Sequence, residues 1–390
     1  MNSPAKSAAN QNLTFATIAF AIAFANWGII SGLAPLLKKE LSLSITQVSI
    51  MVAIPVLLGS IGRIPVGILT DRYGGRIVFS ILLLFTIVPA TALFFNHSYP
   101  SMLFWGFLMG MAGTSFAVGV AFVSGWFPPQ QQGTMLGIYG AGNIGQSVAV
   151  FGGPVLAKAI GIPATFLVFS SVAVVWGGIF ALGASNAKPP SKSKTLADSI
   201  NVLKTEKLSW VLSIFYALTF GGFVALSIYL PTLYKEVFSL TPEEAGARTA
   251  LFVLVATLSR PIGGILSDRL GGQKLLLYVF VGVALTAWLM ASTSIWLFTT
   301  GVLCCAVLFG FGNGAVFKLV PQYFPNQTGS VTGLVGAVGG LGGFFPPIVL
   351  GICRDQTGSY TLGFVLLIIF ALSCTGVLSQ TFLRAPAKTS

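Results

Sequence analysis

Long apolar segments follow one another through almost the entire chain, and they limit the possible folds more than any other feature. Twelve such runs lie near residues 14–37, 46–70, 77–96, 101–126, 133–157, 162–184, 208–234, 246–267, 275–293, 295–321, 329–352 and 359–383. A helix needs roughly 20 apolar residues to cross a bilayer. Only 8% of the residues are charged, against about a quarter in soluble domains. Because helices satisfy their own backbone hydrogen bonds in lipid, the sequence predicts an all-α membrane protein with twelve transmembrane helices.

The positive charge follows the expected membrane topology. The net charge is +12, which by itself would also suit a protein that binds nucleic acid. With both termini assigned to the cytoplasm, twelve Lys and Arg residues fall in inner segments and six in outer segments. This asymmetry agrees with the positive-inside rule. We therefore expect a multi-pass protein of the inner (cytoplasmic) membrane with both termini in the cytoplasm, a lipid bilayer as its surroundings and no nucleic-acid partner.

Residues that form metal or catalytic centres are scarce. The four cysteines show no metal-ligand spacing, and His97, the only histidine, lies in a short predicted loop. A membrane-embedded enzyme would need a nucleophile, a base or a metal cluster within its spans, and no Cys/His/Asp cluster is visible there. We expect no enzymatic activity, no metal and no cofactor.

The chain repeats itself at an offset of 197 residues. The stretch "GRIPVGILTDRYGGR" (62–76) matches "SRPIGGILSDRLGGQ" (259–273), so that Arg63 aligns with Arg260. The polar, Lys-rich segment 185–207 separates the two copies. The repeat predicts two pseudo-symmetric six-helix bundles, residues 1–184 and 208–390, joined by a cytoplasmic linker, 185–207. Such parallel halves usually enclose a substrate site near the midplane and give access to it by rocking.

Arg63 and Arg260 lie deep in their predicted spans, where a charged side chain is costly. A structural arginine would pair with an acid, but all nine Asp and Glu residues map to loops or helix ends. Unpaired intramembrane charges usually mark a substrate path. We therefore predict that the two arginines bind an anion. Lys318, near the inner end of its span, is expected to extend its ammonium group to the interface.

Aromatic and amide residues complete the predicted substrate site. Aromatic side chains at helical spacing more often serve packing, but a tyrosine hydroxyl and a buried amide each need a hydrogen-bond partner, which a substrate oxygen can be. The candidates are Tyr216, Phe220, Phe116, Phe317, Asn143 and Asn313.

Two glycine-rich stretches place small residues along one helix face. They are "GTMLGIYGAGNIGQS" (133–147) and "GSVTGLVGAVGGLGG" (329–343). A smooth stripe of this kind serves either as a sliding surface or as a place of tight helix packing. Its members are Gly133, Gly137, Ala141 and Gly145 in the first stretch, and Gly333, Gly336, Gly340 and Gly343 in the second.

The repeated loops resemble the signature of the major facilitator superfamily. "GILTDRYGGR" is similar to the loop between helices 2 and 3 of that family, and "GGILSDRLGGQ" to its echo in the second half. The resemblance implies a secondary transporter. It also implies that these loops act as conformational latches; the residues concerned are Asp71, Arg72, Asp268 and Arg269.

Within that superfamily, "GIYGAGNIG" and "GNGAVFKLVPQYFP" resemble the signatures of the nitrate/nitrite porter family. The resemblance implies that Arg63 and Arg260 form the anion-binding pair, with Tyr216, Phe220, Phe116, Phe317 and Asn143 around it. The chemistry agrees, because a planar guanidinium fork suits a small planar oxyanion.

We expect net nitrate uptake, as part of nitrate assimilation, with nitrite as a further substrate. The alternatives are a nitrate/nitrite antiporter and a facilitator for another small monovalent anion; a channel is disfavoured by the repeated latch loops. A coupling proton is left open, because no carboxylate or histidine lies in the spans to relay it. Nothing marks an oligomer interface, so we expect a monomer.

Overall fold

The computed structural model describes residues 3–187, 206–324 and 328–383, and within these ranges the chain forms no β-strand. Most of the described residues belong to twelve helical segments. In chain order they are α1 (Ser3–Glu40), α2 (Ile45–Ile61 and Arg63–Tyr73), α3 (Gly75–Phe85 and Ile87–Phe95), α4 (Tyr99–Met109, Gly110–Thr114 and Ser115–Ser124), α5 (Pro129–Gly140, Ala141–Ile144 and Gly145–Ile160), α6 (Ile162–Gly183), α7 (Lys207–Tyr216, Ala217–Gly221 and Gly222–Phe238), α8 (Pro242–Leu270), α9 (Gly272–Met290), α10 (Ile295–Tyr323), α11 (Thr328–Leu341 and Phe345–Thr357) and α12 (Thr361–Leu378 and Ser379–Leu383).

These segments agree with the predicted membrane spans. Among the described residues, ten helices are long and apolar enough to cross a membrane, or eleven when the two parts of α2 count as one. The remaining expected span, 133–157, falls in α5, whose two longer pieces have 12 and 16 residues. The prediction of an all-α membrane fold is confirmed. Most of the predicted linker, 185–207, lies outside the described residues.

The two halves share helix-capping residues as well as the repeated loops. Ser44 caps the start of α2 and forms a reciprocal capping box with Gln47. Thr241 and Glu244 do the same at the start of α8. Each member of the second pair follows its counterpart by the same 197 residues that separate Arg63 from Arg260. A capping box satisfies two backbone N–H groups that the first helical turn leaves free. The repeat thus fixes where both arginine-bearing helices begin.

α2 is bent where the sequence predicts a continuous span. Its two parts meet at Gly62 with an angle of 41°. Pro65 has no N–H to donate to the carbonyl of Ile61, four residues earlier, so one helical hydrogen bond is missing at this point. Arg63 is therefore the first residue after the bend, whereas Arg260 lies within the unbroken helix α8.

The two halves are joined most visibly at one end, here called the sealed end, which carries Glu40, Glu236 and Asp355. Nζ of Lys38 lies 2.7 Å from Oε1 of Glu236. The carboxylate of Asp355 accepts a hydrogen bond from the backbone N–H of Thr46 at 2.8 Å. Deeper in the bundle, α5 packs against α8, α2 against α11 and α1 against α7. The interface between the halves therefore continues from the sealed end to the depth of the arginines.

Candidate functional site

Arg63 is buried between the two halves. Its side chain is only 7% exposed. Nε donates to the carbonyl of Gly59 at 3.2 Å on its own helix, and Nη1 donates to the carbonyl of Gly336 on α11 at 2.7 Å. Both acceptors are neutral, so these bonds orient the guanidinium group without neutralising its charge.

Arg260 approaches the same place from α8. Its Nη2 lies 3.4 Å from the hydroxyl oxygen of Tyr216 and donates to it. Its Nη1 is buried and has no hydrogen-bond partner among the described residues. A buried donor without a partner costs on the order of 1–3 kcal/mol. This guanidinium group therefore has a donor to offer to a bound group.

Phe220 connects the two arginines. Cζ of Arg63 lies 5.2 Å from the centre of its ring, and Cζ of Arg260 lies 5.8 Å from it. Both distances are within the range of cation–π attraction. The ring of Tyr216 stacks on Phe220 at 4.9 Å with an interplanar angle of 2°. The structure thus brings the two repeat-related arginines and both predicted α7 aromatics together.

Phe116 and Phe317 extend this aromatic group from the two halves. Phe116 lies under Arg63, with 5.5 Å from Cζ to the ring centre. Phe317 packs edge-on against Tyr216 at 4.7 Å and lies 6.4 Å from Phe116. All four predicted aromatic residues therefore surround the guanidinium groups, on α4, α7 and α10.

The helices lose regular α geometry at the depth of this site. α2 bends immediately before Arg63, and α4 contains a 3₁₀ turn, Gly110–Thr114, shortly before Phe116. α5 has a 3₁₀ turn at Ala141–Ile144, and α7 has a π turn at Ala217–Gly221. Such irregularities are common at functional sites because they re-aim side chains and free backbone groups.

No described carboxylate forms an ion pair with either arginine. The ion pairs among the described residues join Lys38 with Glu236, His97 with Glu40, Lys158 with Glu243 and Lys318 with Asp268. Two guanidinium groups around one ring repel each other. An anion that bound between them would relieve this repulsion and engage the free donor of Arg260.

The two predicted asparagines are buried but do not contact the arginines. Asn143, in the 3₁₀ turn of α5, donates from Nδ2 to the carbonyl of Gly140 at 2.8 Å. Oδ1 of Asn143 and Oδ1 of Asn313 are both buried without a partner among the described residues. An oxyanion accepts hydrogen bonds only, so it would need the amide groups to present their nitrogen atoms. Their role in anion binding stays a prediction.

Sequence reasoning did not identify Tyr139, Trp27 and Ser60, which also belong to this region. The ring of Tyr139 stacks on Phe116 with centroids 6.3 Å apart, and its hydroxyl donates to the carbonyl of Ser115 at 2.8 Å. Trp27 and Ser60 lie with Arg63 around a small cavity. Ser60 lies three residues before Arg63, which could have drawn attention to it. No local signal in the sequence points to Trp27.

The glycine stripes are not uniform. A Cβ on Gly145 would collide with the backbone of α1 at Ala21, with Cα only 2.9 Å away, whereas a Cβ on Gly137 would meet nothing within 4 Å. On α11, Gly340 faces Arg63, because a Cβ added to it would lie 3.5 Å from Cζ, while Gly333 faces open space. Tight packing therefore applies to some members of the stripes, such as Gly145 and Gly340, and not to others.

The predicted latch residues lie at the end of the bundle opposite the sealed end. Asp268 forms an ion pair with Lys318 of α10, within the same half. The sequence predicts that Lys318 extends its ammonium group toward the membrane surface, and in the structure this group contacts the carboxylate of Asp268. Cζ of Arg72 lies 5.4 Å from the ring of the adjacent Tyr73, and Asp71 and Arg269 are exposed. Their role as latches stays a prediction.

Comparison with known proteins agrees with this architecture. A solved structure of a bacterial homolog of the human lysosomal transporter Spinster, in an inward-facing and occupied conformation, superposes with a TM-score of 0.74. The match covers 95% of this chain and 97% of that chain at 16% sequence identity. The family model for the Major Facilitator Superfamily matches residues 16–347.

Three curated relatives are similar over most of their length. The nitrite extrusion protein of Bacillus subtilis strain 168 is 39% identical and is matched over 93% of this chain and 91% of its own. A probable nitrate/nitrite antiporter, NarK1, of Thermus thermophilus is 36% identical, with coverage of 92% and 88%. A probable nitrate transporter, NarT, of Staphylococcus epidermidis is 38% identical, with coverage of 92% and 93%.

Twelve helical segments in the described part of the chain, a sequence repeat that relates its two halves, and a buried candidate site between these halves define a polytopic membrane transporter. The family match and the relatives make the assignment specific: the chain belongs to the major facilitator superfamily and, within it, to the nitrate/nitrite porter family.

Proposed function

We propose that this protein is a secondary transporter that imports nitrate, and also accepts nitrite, across the cytoplasmic membrane by alternating access. The observation that carries the proposal is the pair of guanidinium groups around Phe220, with no ion-pair partner among the described residues. The names of the three relatives, which refer to nitrate and nitrite, support these anions as the cargo.

The chemistry of the site suits nitrate. Nitrate is small, planar, monovalent and weakly hydrated, so it loses little hydration free energy when it enters a narrow buried site. The guanidinium groups provide planar donors for its oxygens, and the free Nη1 of Arg260 is one of them. The rings of Phe220 and Phe116 would form apolar walls beside a flat anion. A phosphate ester would leave several oxygens without donors.

We assign the sealed end to the outside of the cell, since the excess of Lys and Arg favours cytoplasmic termini. The bundles would then comprise residues 1–184 and 208–390, with residues 185–207 as a cytoplasmic linker. Asp71 and Arg72, with their repeat partners Asp268 and Arg269, would act as latches on the cytoplasmic side. In this assignment the structure is closed to the outside.

A nitrate/nitrite antiporter is the second candidate, and one observation favours it. The only histidine, His97, pairs with Glu40 at the sealed end, far from the arginines along the chain, and the described acids lie near helix ends. A proton relay at the depth of the arginines would therefore lack a titratable carboxylate or imidazole among the described residues. An exchanger needs no such relay, because an anion occupies the site between the arginines each time the protein changes conformation, in both directions.

Proteoliposomes distinguish the two candidates. Nitrate uptake would be measured with and without internal nitrite, under an imposed pH gradient. Uptake that follows the gradient and ignores internal nitrite supports import, whereas uptake that requires internal nitrite supports exchange.

The anion site itself is tested by thermal unfolding in detergent. A ligand at 100 times its Kd stabilises the folded state by about 2.7 kcal/mol. We expect nitrate to raise the Tm of the natural protein, and Arg63→Lys and Arg260→Lys each to lose most of this shift. Arg76→Lys is the matched control, because Arg76 donates to the carbonyl of Ala181 at 2.7 Å, away from the site. Wild-type shifts in both site variants would place nitrate elsewhere.

A further inference from the structure

A small cavity adjoins Arg63 on the side toward the sealed end. Trp27 of α1, Val56 and Ser60 of α2, and Val224 of α7 line it together with Arg63; glycines of α2, α4 and α11 complete the wall. Ser60 and Val224 are each only 1% exposed, and Trp27 is 6% exposed. Both halves of the protein therefore contribute to this cavity, and none of these neighbours of Arg63 was among the predicted site residues.

The cavity is too small for a whole oxyanion. Its accessible volume is about 10 Å³, which is roughly the space that one water molecule needs. Its surroundings are tightly packed: a Cβ on Gly340 would lie 3.1 Å from Cβ of Ser60 and 3.5 Å from Cζ of Arg63. The space therefore fits a single heavy atom held close to the guanidinium group.

The polar groups of the cavity point to an oxygen atom as that occupant. The indole N–H of Trp27 is already used, since it donates to the carbonyl of Pro55 at 3.3 Å. The hydroxyl of Ser60 forms no hydrogen bond to another described residue and is free to donate. The remaining lining is apolar. A hydroxyl and a guanidinium group beside one atom-sized space form a pair of donors for one negatively charged oxygen.

We infer that this cavity receives one oxygen of the bound anion, that Ser60 donates a hydrogen bond to it, and that Trp27 and Val224 limit the size of the anion. The inference rests on the proposed function and adds specificity-determining residues to it. Nitrate and nitrite can each direct one small oxygen into the cavity while the rest of the ion lies against the arginines. Chlorate is bulkier around its central atom and fits such a space less well.

The size limit depends on a side chain that can be shortened. Val224→Ala removes two methyl groups from the wall and enlarges the cavity without adding a polar group. We expect this variant to accept chlorate better relative to nitrate. The matched control is Val283→Ala, at a valine that is fully buried in α9 and does not line the cavity.

Binding of nitrate, nitrite and chlorate to the full-length protein in detergent tests the inference, with the Tm of each variant recorded in the absence of anion. We expect Ser60→Ala to weaken nitrate binding by about tenfold, because hydrogen bonds to charged groups are among the stronger ones. We expect Val224→Ala to raise the chlorate-to-nitrate affinity ratio by at least about threefold, and Val283→Ala to leave that ratio unchanged. A purely structural role for these residues would lower Tm but would not change the ratio.

The outcomes separate the two proposals. Suppose that the natural protein binds nitrate, that Ser60→Ala binds nitrate with the same affinity, and that Val224→Ala has the same chlorate-to-nitrate affinity ratio as the natural protein. The cavity then does not receive the anion, and this inference fails while the proposed function stands. If the natural protein itself binds neither nitrate nor nitrite, both the proposed function and the inference about the cavity fail. If Ser60→Ala does not fold, Ser60→Cys, whose side chain is somewhat larger and donates only weakly, is expected to give an intermediate nitrate affinity. Wild-type affinity in that variant would also overturn the role of the hydroxyl.

Discussion

Lys38 and Glu236 form an ion pair across the interface between the two halves, with 2.7 Å between Nζ and Oε1. Their side chains are 26% and 18% exposed. Deeper in the same interface, the hydroxyl groups of Ser49 on α2 and Tyr229 on α7 lie within hydrogen-bond distance, at 2.9 Å. The halves must separate here for the site to open toward this end, so the pair stabilises the closed arrangement.

Removing the pair should therefore expose the interface. Ion pairs of this kind contribute up to about 1 kcal/mol, so Lys38→Ala should increase the open population by up to about fivefold. The measurement is the labelling rate of Ser49→Cys by a membrane-impermeant thiol reagent, with the four natural cysteines replaced. Lys235→Ala is the control. The double exchange Lys38→Glu with Glu236→Lys should restore slow labelling; equal rates in all variants would show that the pair does not hold the halves together.

The hydroxyl of Tyr216 lies 3.4 Å from Nη2 of Arg260, its only described hydrogen-bond partner. Tyr216→Phe keeps the ring that stacks on Phe220 and removes only this oxygen. We expect the Tm without anion to change little and nitrate binding to weaken by about five- to tenfold, because Arg260 loses the group that orients it. Tyr234→Phe is a matched control, since it removes a hydroxyl that donates to Thr299 at 3.1 Å outside the site. Unchanged nitrate affinity in Tyr216→Phe would contradict a positioning role.

We expect Phe220 to contribute to nitrate binding through its π electrons as well as through its volume. Phe220→Leu keeps an apolar side chain but removes the cation–π attraction to both arginines, a contribution of at least about 1 kcal/mol at a buried position. Nitrate binding measured by titration should weaken by about fivefold. Phe215→Leu alters another buried ring of α7, which packs on Phe280 with centroids 5.0 Å apart, and should leave binding unchanged. Similar losses in both variants would mean that general packing of α7 accounts for the effect.

The sequence predicted the parts of this site that depend on charge and repetition. The offset of 197 residues relates Arg63 to Arg260, and the absence of acids from the spans indicates that neither arginine has a carboxylate partner at its own depth. Tyr216 and Phe220 are four residues apart in the sequence, a spacing that places two side chains on one helix face, and they stack in the structure. These inferences rest on positions along the sequence itself, and none of them requires knowing which helices are in contact.

The features that the sequence did not predict depend on how different helices meet. Lys38 and Glu236 are 198 positions apart, and no local pattern specifies that they pair. The bend at Gly62 depends on Pro65, whose effect is hidden by the continuous apolar run around it. Trp27 lies in α1 among many apolar residues, and only the packing of α1 against α2 and α4 brings it to the cavity beside Arg63.

The glycine stripe of α5 shows the same limit and leads to a further test. Gly137 and Gly145 belong to one regular pattern, yet a Cβ on Gly145 would lie within 2.9 Å of Cα of Ala21, and a Cβ on Gly137 would meet nothing within 4 Å. Helix backbones can approach this closely only at residues without a Cβ. The two positions should therefore respond differently to the same substitution.

Gly145→Ala forces α5 away from α1, and overpacking of this kind typically costs about 1–3 kcal/mol. We expect a clear decrease in Tm in detergent and a loss of nitrate transport in proteoliposomes. Gly137→Ala adds the same methyl group in open space and should leave Tm unchanged or slightly higher, because alanine favours the helix over glycine by up to about 1 kcal/mol. Equal effects of the two substitutions would mean that the whole stripe, and not only its part next to α1, acts as a contact surface.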